Sequence, residues 1–253
     1  MKRAMFDRAA MAGLICLAGA GCSPPAGQPP ETPQAEAAAD GWTRPPTIQS
    51  VRRVSTGLIF TGQSEPGSRV VLRSDSGPAH AASADAEGHF EIRMAAPAAD
   101  LLLRPETQAG QDAVPSPERL LIVAGPSGPV AILRPGGATR RLDAAPVLGA
   151  VDSDGRMRLV SGRGSPSGPA IDLQAGDETG RVTPDTAGHW RLVLAPSAGP
   201  EDIRVGGLTF TWPGEGEGAG GSSFRAERAG AGWRVVWSGP AGARQTTWLP
   251  DGD

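Results

Sequence analysis

The chain has 253 residues, and 36 Gly with 25 Pro put about a quarter of them in the two types that interrupt helices, which excludes helical bundles and coiled coils. Leu, Ile, Val and Phe occupy only 46 positions, a share low enough to raise the question of disorder. A formal net charge of −3 does not drive the chain open, so small all-β domains joined by loops fit better.

Residues 1–21 read as an export signal, with Lys2, Arg3 and Arg8 as the basic start and Ala9 to Gly21 as the apolar stretch. That run is shorter than the roughly 20 apolar residues a permanent spanning helix needs. It ends Leu17-Ala18-Gly19-Ala20-Gly21-Cys22, followed by Ser23-Pro24-Pro25. Small residues immediately before a cysteine resemble the lipobox of bacterial lipoproteins. The resemblance implies cleavage before Cys22, lipid on Cys22, and the membrane as a partner reached through that lipid. Ser23, where Asp would retain an inner-membrane lipoprotein, implies outer-membrane sorting. Gly19 stands where a lipobox usually has an aliphatic residue, so cleavage by ordinary signal peptidase is the alternative. The only other cysteine, Cys16, lies inside the apolar stretch, which excludes a disulfide scaffold.

Removing residues 1–21 takes away three basic residues and one acidic residue, moving the net charge from −3 to −5 and leaving no lysine. With arginines scattered singly, there is no footprint for a nucleic-acid partner. Residues 22–46 hold seven prolines and almost no large apolar groups, so they are expected to form a disordered, semi-extended tether.

Beyond the tether the chain repeats. Gly62, Pro66, Gly88 and His89 recur as Gly162, Pro166, Gly188 and His189, at an offset of 100. Phe90, Ile92 and Met94 alternate with polar neighbours, as do Trp190, Leu192 and Leu194, a period of two that puts one apolar set on one face of a strand. Gly125-Pro126-Ser127-Gly128 matches Gly239-Pro240-Ala241-Gly242 further on, and the second copy is longer mainly around Gly206 to Ser223. In the first copy the predicted strands are 48–54, 58–62, 69–74, 89–94, 101–104, 119–124 and 130–134. Thr56-Gly57 and Asp154-Gly155 fall at equivalent places as hairpin turns. About seven short strands per hundred residues predict immunoglobulin-like sandwiches. The expected architecture is all-β: two tandem Ig-like β-sandwich domains, 47–144 and 145–253, after a signal peptide and a Pro-rich tether.

GQSEPGSRVVLRSDSG with ADAEGHFEI, and GRGSPSGPAIDLQAGDETG with PDTAGHWRL, resemble bacterial Ig-like domain repeats, whose hallmark is Gly-x-x-x-Pro-Gly, an apolar strand, and a turn closing in Gly-x-Phe/Trp. The resemblance implies the sandwich fold and leaves the function open, since such domains serve as spacers, adhesive modules and binding platforms. The second copy reads Ser-Pro-Ser-Gly where the first has Glu-Pro-Gly, which bears on its turn geometry.

No residues point to catalysis or to a cofactor. His89 and His189 alternate out of phase with Phe90 and Trp190 and are expected on the surface, and His80 lies in a loop-like stretch without ligand spacing. Asp152-Ser153-Asp154-Gly155 begins like a calcium loop, but Arg156 and Arg158 come next, where oxygen donors are needed, so a hairpin is expected. Glu215 and Glu217 sit in a Gly-rich loop, unsuited to holding a substrate or a metal. Trp233 and Trp237, four apart on a predicted strand, share one face; outward they form an aromatic binding platform, inward they fill a core. The expected function is that of a non-enzymatic, lipid-anchored envelope protein that binds or scaffolds another envelope protein through exposed strand edges or the Trp-bearing face. The alternative is recognition of polysaccharide or peptidoglycan by those tryptophans.

Overall fold

The computed structural model describes residues 43–75, 77–197, 199–217, 224–239 and 242–252. The expected signal peptide, Cys22 and the tether up to residue 42 lie outside the described residues. The first ten strands are β1 (Thr47–Val54), β2 (Gly57–Gln63), β3 (Arg69–Ser74), β4 (His80–Ser83), β5 (His89–Ala95), β6 (Leu101–Ala109), β7 (Asp112–Pro115), β8 (Arg119–Ile122), β9 (Val130–Leu133) and β10 (Arg140–Arg141). The next ten are β11 (Leu148–Ser153), β12 (Arg158–Arg163), β13 (Ile171–Ala175), β14 (Glu178–Val182), β15 (His189–Leu194), β16 (Glu201–Val205), β17 (Leu208–Trp212), β18 (Phe224–Arg228), β19 (Gly232–Ser238) and β20 (Arg244–Pro250). No α-helix occurs among the described residues.

These strands form four antiparallel sheets, ordered β1-β2-β5; β10-β9-β8-β6-β3-β4 with β7 also on β6; β15-β12-β11-β20-β19-β18; and β14-β13-β16-β17. The first pair of sheets draws on β1 to β10 and the second pair on β11 to β20, so the protein is all-β, with two sandwiches in tandem. The first encloses Ile48, Leu58, Phe60, Val70, Phe90 and Ile132. The second encloses Leu148, Val160, Trp190, Ile203, Trp212 and Trp248.

A third apolar cluster joins them. Leu121, Val123, Ala131 and Leu133, on β8, β9 and the residue after β8, pack against Ala150, Val235, Trp237 and Leu249 of β11, β19 and β20. The two inner sheets are therefore stacked face to face, and the described residues form four layers. β8 and β9 lie in an inner layer with both faces covered, which is why Leu120 to Ile122 and Val130 to Leu133 are unbroken apolar runs. Burying a side chain such as Leu133 or Val235 stabilises by about 1.5–3 kcal/mol, so the junction behaves as a core.

Corresponding local devices build both sandwiches. Gly62 sits opposite Phe90 and Gly162 opposite Trp190. A Cβ on either glycine would fall within 2.1 Å of the Thr47 carbonyl or 1.9 Å of the Val147 carbonyl, and against the facing ring. The Asp85 carboxylate accepts from the Glu87 and His89 amides, and that of Asp185 from the Ala187 and His189 amides. These Asx turns aim each following strand. Ser167 adopts φ +50°, the conformation Gly67 takes at +69°, so the divergent Ser-Pro-Ser-Gly makes the same turn.

The structure corrects several strand readings. His80 opens β4, a four-residue edge strand on β3 whose Ala-Ala-Ser gives no apolar alternation. β6 runs through Pro105 to Ala109 and carries β7 along its second half. Pro105 is accommodated because it serves as an acceptor there, taking the Ser116 amide on its carbonyl at 2.7 Å.

Candidate functional site at the sandwich junction

A cleft of about 1070 Å³ opens where the sandwiches meet. One wall is the start of β1 together with β10 and the connection after it; the opposite wall is β12, β15 and the end of β14. Six arginines line it: Arg134, Arg140, Arg141, Arg163, Arg181 and Arg191.

Three of the six are committed to carboxylates. Arg141 makes a two-pronged bond to Asp143 at 2.8 and 2.6 Å, Arg134 donates to Glu118 at 2.7 Å, and Arg181 pairs with Asp172 at 2.7 Å. Arg140 instead donates to the carbonyls of Ile48 and Gln49, tying β10 to β1. Burial lowers its pKa, and the neighbouring charges of Arg134 and Arg163 lower it further. Arg163 and Arg191 have no carboxylate partner among the described residues. His189 pairs in register with Arg163, and its pKa is lowered first by burial and then by Arg163, with Asp185 opposing. A positive field thus fills the cleft of a chain whose net charge is negative.

Trp190 also lines the cleft, and its buried indole N–H has no acceptor among the described residues. This chemistry suits capture of an anion: guanidinium groups stay charged and offer forked donors that match carboxylates.

Beside the cleft wall, Asp152 is buried on the side of β11 that faces the first sandwich. It accepts from the Thr139 amide at 2.8 Å, the Thr139 hydroxyl at 2.6 Å and the Thr247 hydroxyl at 2.7 Å. Burial pushes its pKa up to about 6, against the opposing effect of those donors. The carboxylate fastens the segment before β10 to β11 and β20.

Of the two placements the sequence leaves open for Trp233 and Trp237, outward as a platform or inward in a core, the inward one is found. Trp237 is 1% exposed, inside the junction core, with its indole N–H 3.4 Å from the Thr247 hydroxyl. Trp233 is half-buried against the same cluster, and the Arg228 guanidinium covers its ring at 5.2 Å. The shared face that the sequence predicts turns inward because the first sandwich packs on it.

His89 is exposed and His189 is half-buried at the cleft, each near its own Asx-turn aspartate, at 3.6 and 3.9 Å. Asp154 closes a hairpin, accepting from the Arg156 and Met157 amides, and these bonds hold its carboxyl below the usual range. Glu215 accepts a 2.5 Å bond from the Ser153 hydroxyl, a contact with no signal in the sequence. Among the described residues no three His, Cys, Asp or Glu gather as a metal site. Cys22 lies outside the described residues.

The arginine cleft escapes sequence reading because its members come from residues 134–141, 163 and 181–191, far apart in the chain. No family model matches the sequence, and no curated protein matches it.

Proposed function

We propose that this chain is a non-enzymatic, lipid-anchored cell-envelope protein of the bacterial Ig-like repeat kind, whose body binds or scaffolds another envelope protein. In this reading lipid on Cys22 holds it to the outer membrane, facing the periplasm or the cell surface, and residues 22–46 let the body stand away. The observation that carries the reading is the fusion of the sandwiches through a shared core, with an arginine-lined cleft at the seam. A plain spacer needs neither. Glycan recognition by Trp233 and Trp237 has less support, because a sugar has no access to Trp237 and one face of Trp233 is already covered.

A photo-reactive amino acid replacing exposed Thr183 at the cleft, compared with one replacing exposed Leu208 on β17, tests the reading in intact cells. The expected result is an adduct with an envelope protein from position 183 and none from 208. No adduct at 183, or equal labelling from both, overturns it. The anchor is tested by labelled palmitate, whose incorporation is expected to vanish in Cys22→Ala; incorporation that survives defeats the assignment.

A further inference from the structure

We propose that the open edge of β15 receives an extended, acidic segment of the partner protein, which adds to the sheet as a strand and sets its carboxylates against Arg191, Arg163 and Arg140. The proposal rests on reading the chain as a protein-binding module and specifies what that module recognises.

β15 ends its sheet, pairing with β12 on one side only. The Gly164 amide bonds the Gly188 carbonyl and the Arg163 amide bonds the Val147 carbonyl, so alternate residues of β12 face β15 and β11. Carried across the register, this turns the backbone groups of Trp190, Leu192 and Leu194 toward β12 and those of Arg191 and Val193 toward the open edge. His189 through Leu192 all line the cleft although they alternate between the two faces of the sheet. On an edge strand, that arrangement means the cleft reaches the edge itself.

The first sandwich supplies an internal control. Its equivalent strand, β5, carries Glu91 and Arg93, which neutralise one another at 2.6 Å, and Gln63 lies beside it on β2. At the same positions the second copy has Arg191, Val193 and Arg163, a net gain of two positive charges, with Val193 left 58% exposed. Edge strands commonly carry charge that discourages pairing. Here the charge has one sign and an aliphatic side chain stands beside it, which repels basic strands and selects an acidic one. The carboxylates already in the cleft do not compete, since Asp143 is held by Arg141 and Asp185 by backbone amides. A strand fits better than an anionic polysaccharide because it satisfies the edge backbone groups of Arg191 and Val193 as well as the guanidiniums, the flanking groups of His189 and Ala195 being taken by Asp185 and Glu178.

The test uses the purified mature protein and a fluorescein-labelled peptide of about ten residues alternating Glu and Thr, monitored by anisotropy. Binding is expected, weakening about tenfold or more as salt rises from about 50 to about 300 mM. Arg163→Glu/Arg191→Glu is expected to weaken it by at least about tenfold. Val193→Pro removes an edge N–H that bonds nothing in the sheet, leaves every guanidinium in place, and is also expected to weaken binding about tenfold. Unchanged melting temperatures verify that both variants fold. Peptide affinity unaltered by either variant overturns the proposal, as does equal binding of the same peptide N-methylated at alternate residues. Competition by polygalacturonate at matched charge with no effect of N-methylation assigns the cleft to a polyanion instead. Loss of peptide binding while the in-cell adduct from position 183 persists overturns the acidic segment and leaves the module; loss of both overturns both.

Discussion

In the first sandwich the hairpin β8–β9 extends the sheet of β3 and β6, whereas in the second its counterpart β19–β20 extends the sheet of β11 and β12. The two copies run in parallel up to that point, including a register shift near the start of β1, between Ile48 and Ser50, and of β11, between Leu148 and Ala150. They part because β7 and β17 occupy the edges of β6 and β16 to different extents. β7 covers only Glu106 to Ala109, leaving Leu101 to Leu103 free to pair with β8. β17 covers β16 along its full length, from Glu201 opposite Trp212 to Val205 opposite Leu208, so the later hairpin must join the other sheet through β11. A few residues of edge occupancy thus decide a topology that the repeated turn motifs leave open. The difference also brings the two equivalent hairpins face to face, which creates the junction core.

The largest effect that would break this comparison is expected at Trp237, whose ring lies wholly within the junction core. Trp237→Ala should cost about 3–5 kcal/mol in denaturant unfolding, in the range for emptying a packed aromatic site. A loss below about 1 kcal/mol would mean the junction is not a core.

The next effect separates β11 from β1 by pH. Asp152 is buried, while Arg52 at the equivalent place is exposed. Because the folded-state pKa of Asp152 is raised from 3.8 to about 6, the folded protein holds that proton longer than the unfolded chain. Its contribution is fully present below pH 3.8 and is lost as pH rises to about 6, on the order of 3 kcal/mol. The stability of the native protein relative to Asp152→Asn should fall across that window; parallel curves would place the titration elsewhere.

The smallest effect sharpens the likeness. Ser167→Gly relieves a positive φ that Gly67 already meets, and should stabilise by about 0.5–1 kcal/mol, with the reverse sign for Gly67→Ser. A destabilised Ser167→Gly would show that the serine side chain supports its turn.

How far the chain can be read depends on where its information sits. The alternation in β5 and β15 and the Gly-closed turns are local, and they specify the sandwiches. β4, His-Ala-Ala-Ser, and β7, Asp-Ala-Val-Pro, show no apolar alternation, so only their pairing to β3 and β6 makes them strands. A signal for the junction is present: Leu120 to Val123 and Val130 to Leu133 are apolar at every position, as strands covered on both sides should be. The inward turn of Trp233 and Trp237 depends on the covering layer, which no local pattern reveals. Two of the cleft arginines stand out when the copies are set side by side, where Glu91 becomes Arg191 and Gln63 becomes Arg163, but nothing in the sequence brings the other four to them.

The clasp of Arg140 on the Ile48 and Gln49 carbonyls has a mechanical consequence. A pull on the chain ahead of Thr47 does not peel β1 from β2 one bond at a time, because β10 shares the load and passes it to the inner layer through β9. Tension entering at that strand is borne by the seam between the sandwiches, so the body resists as a single piece.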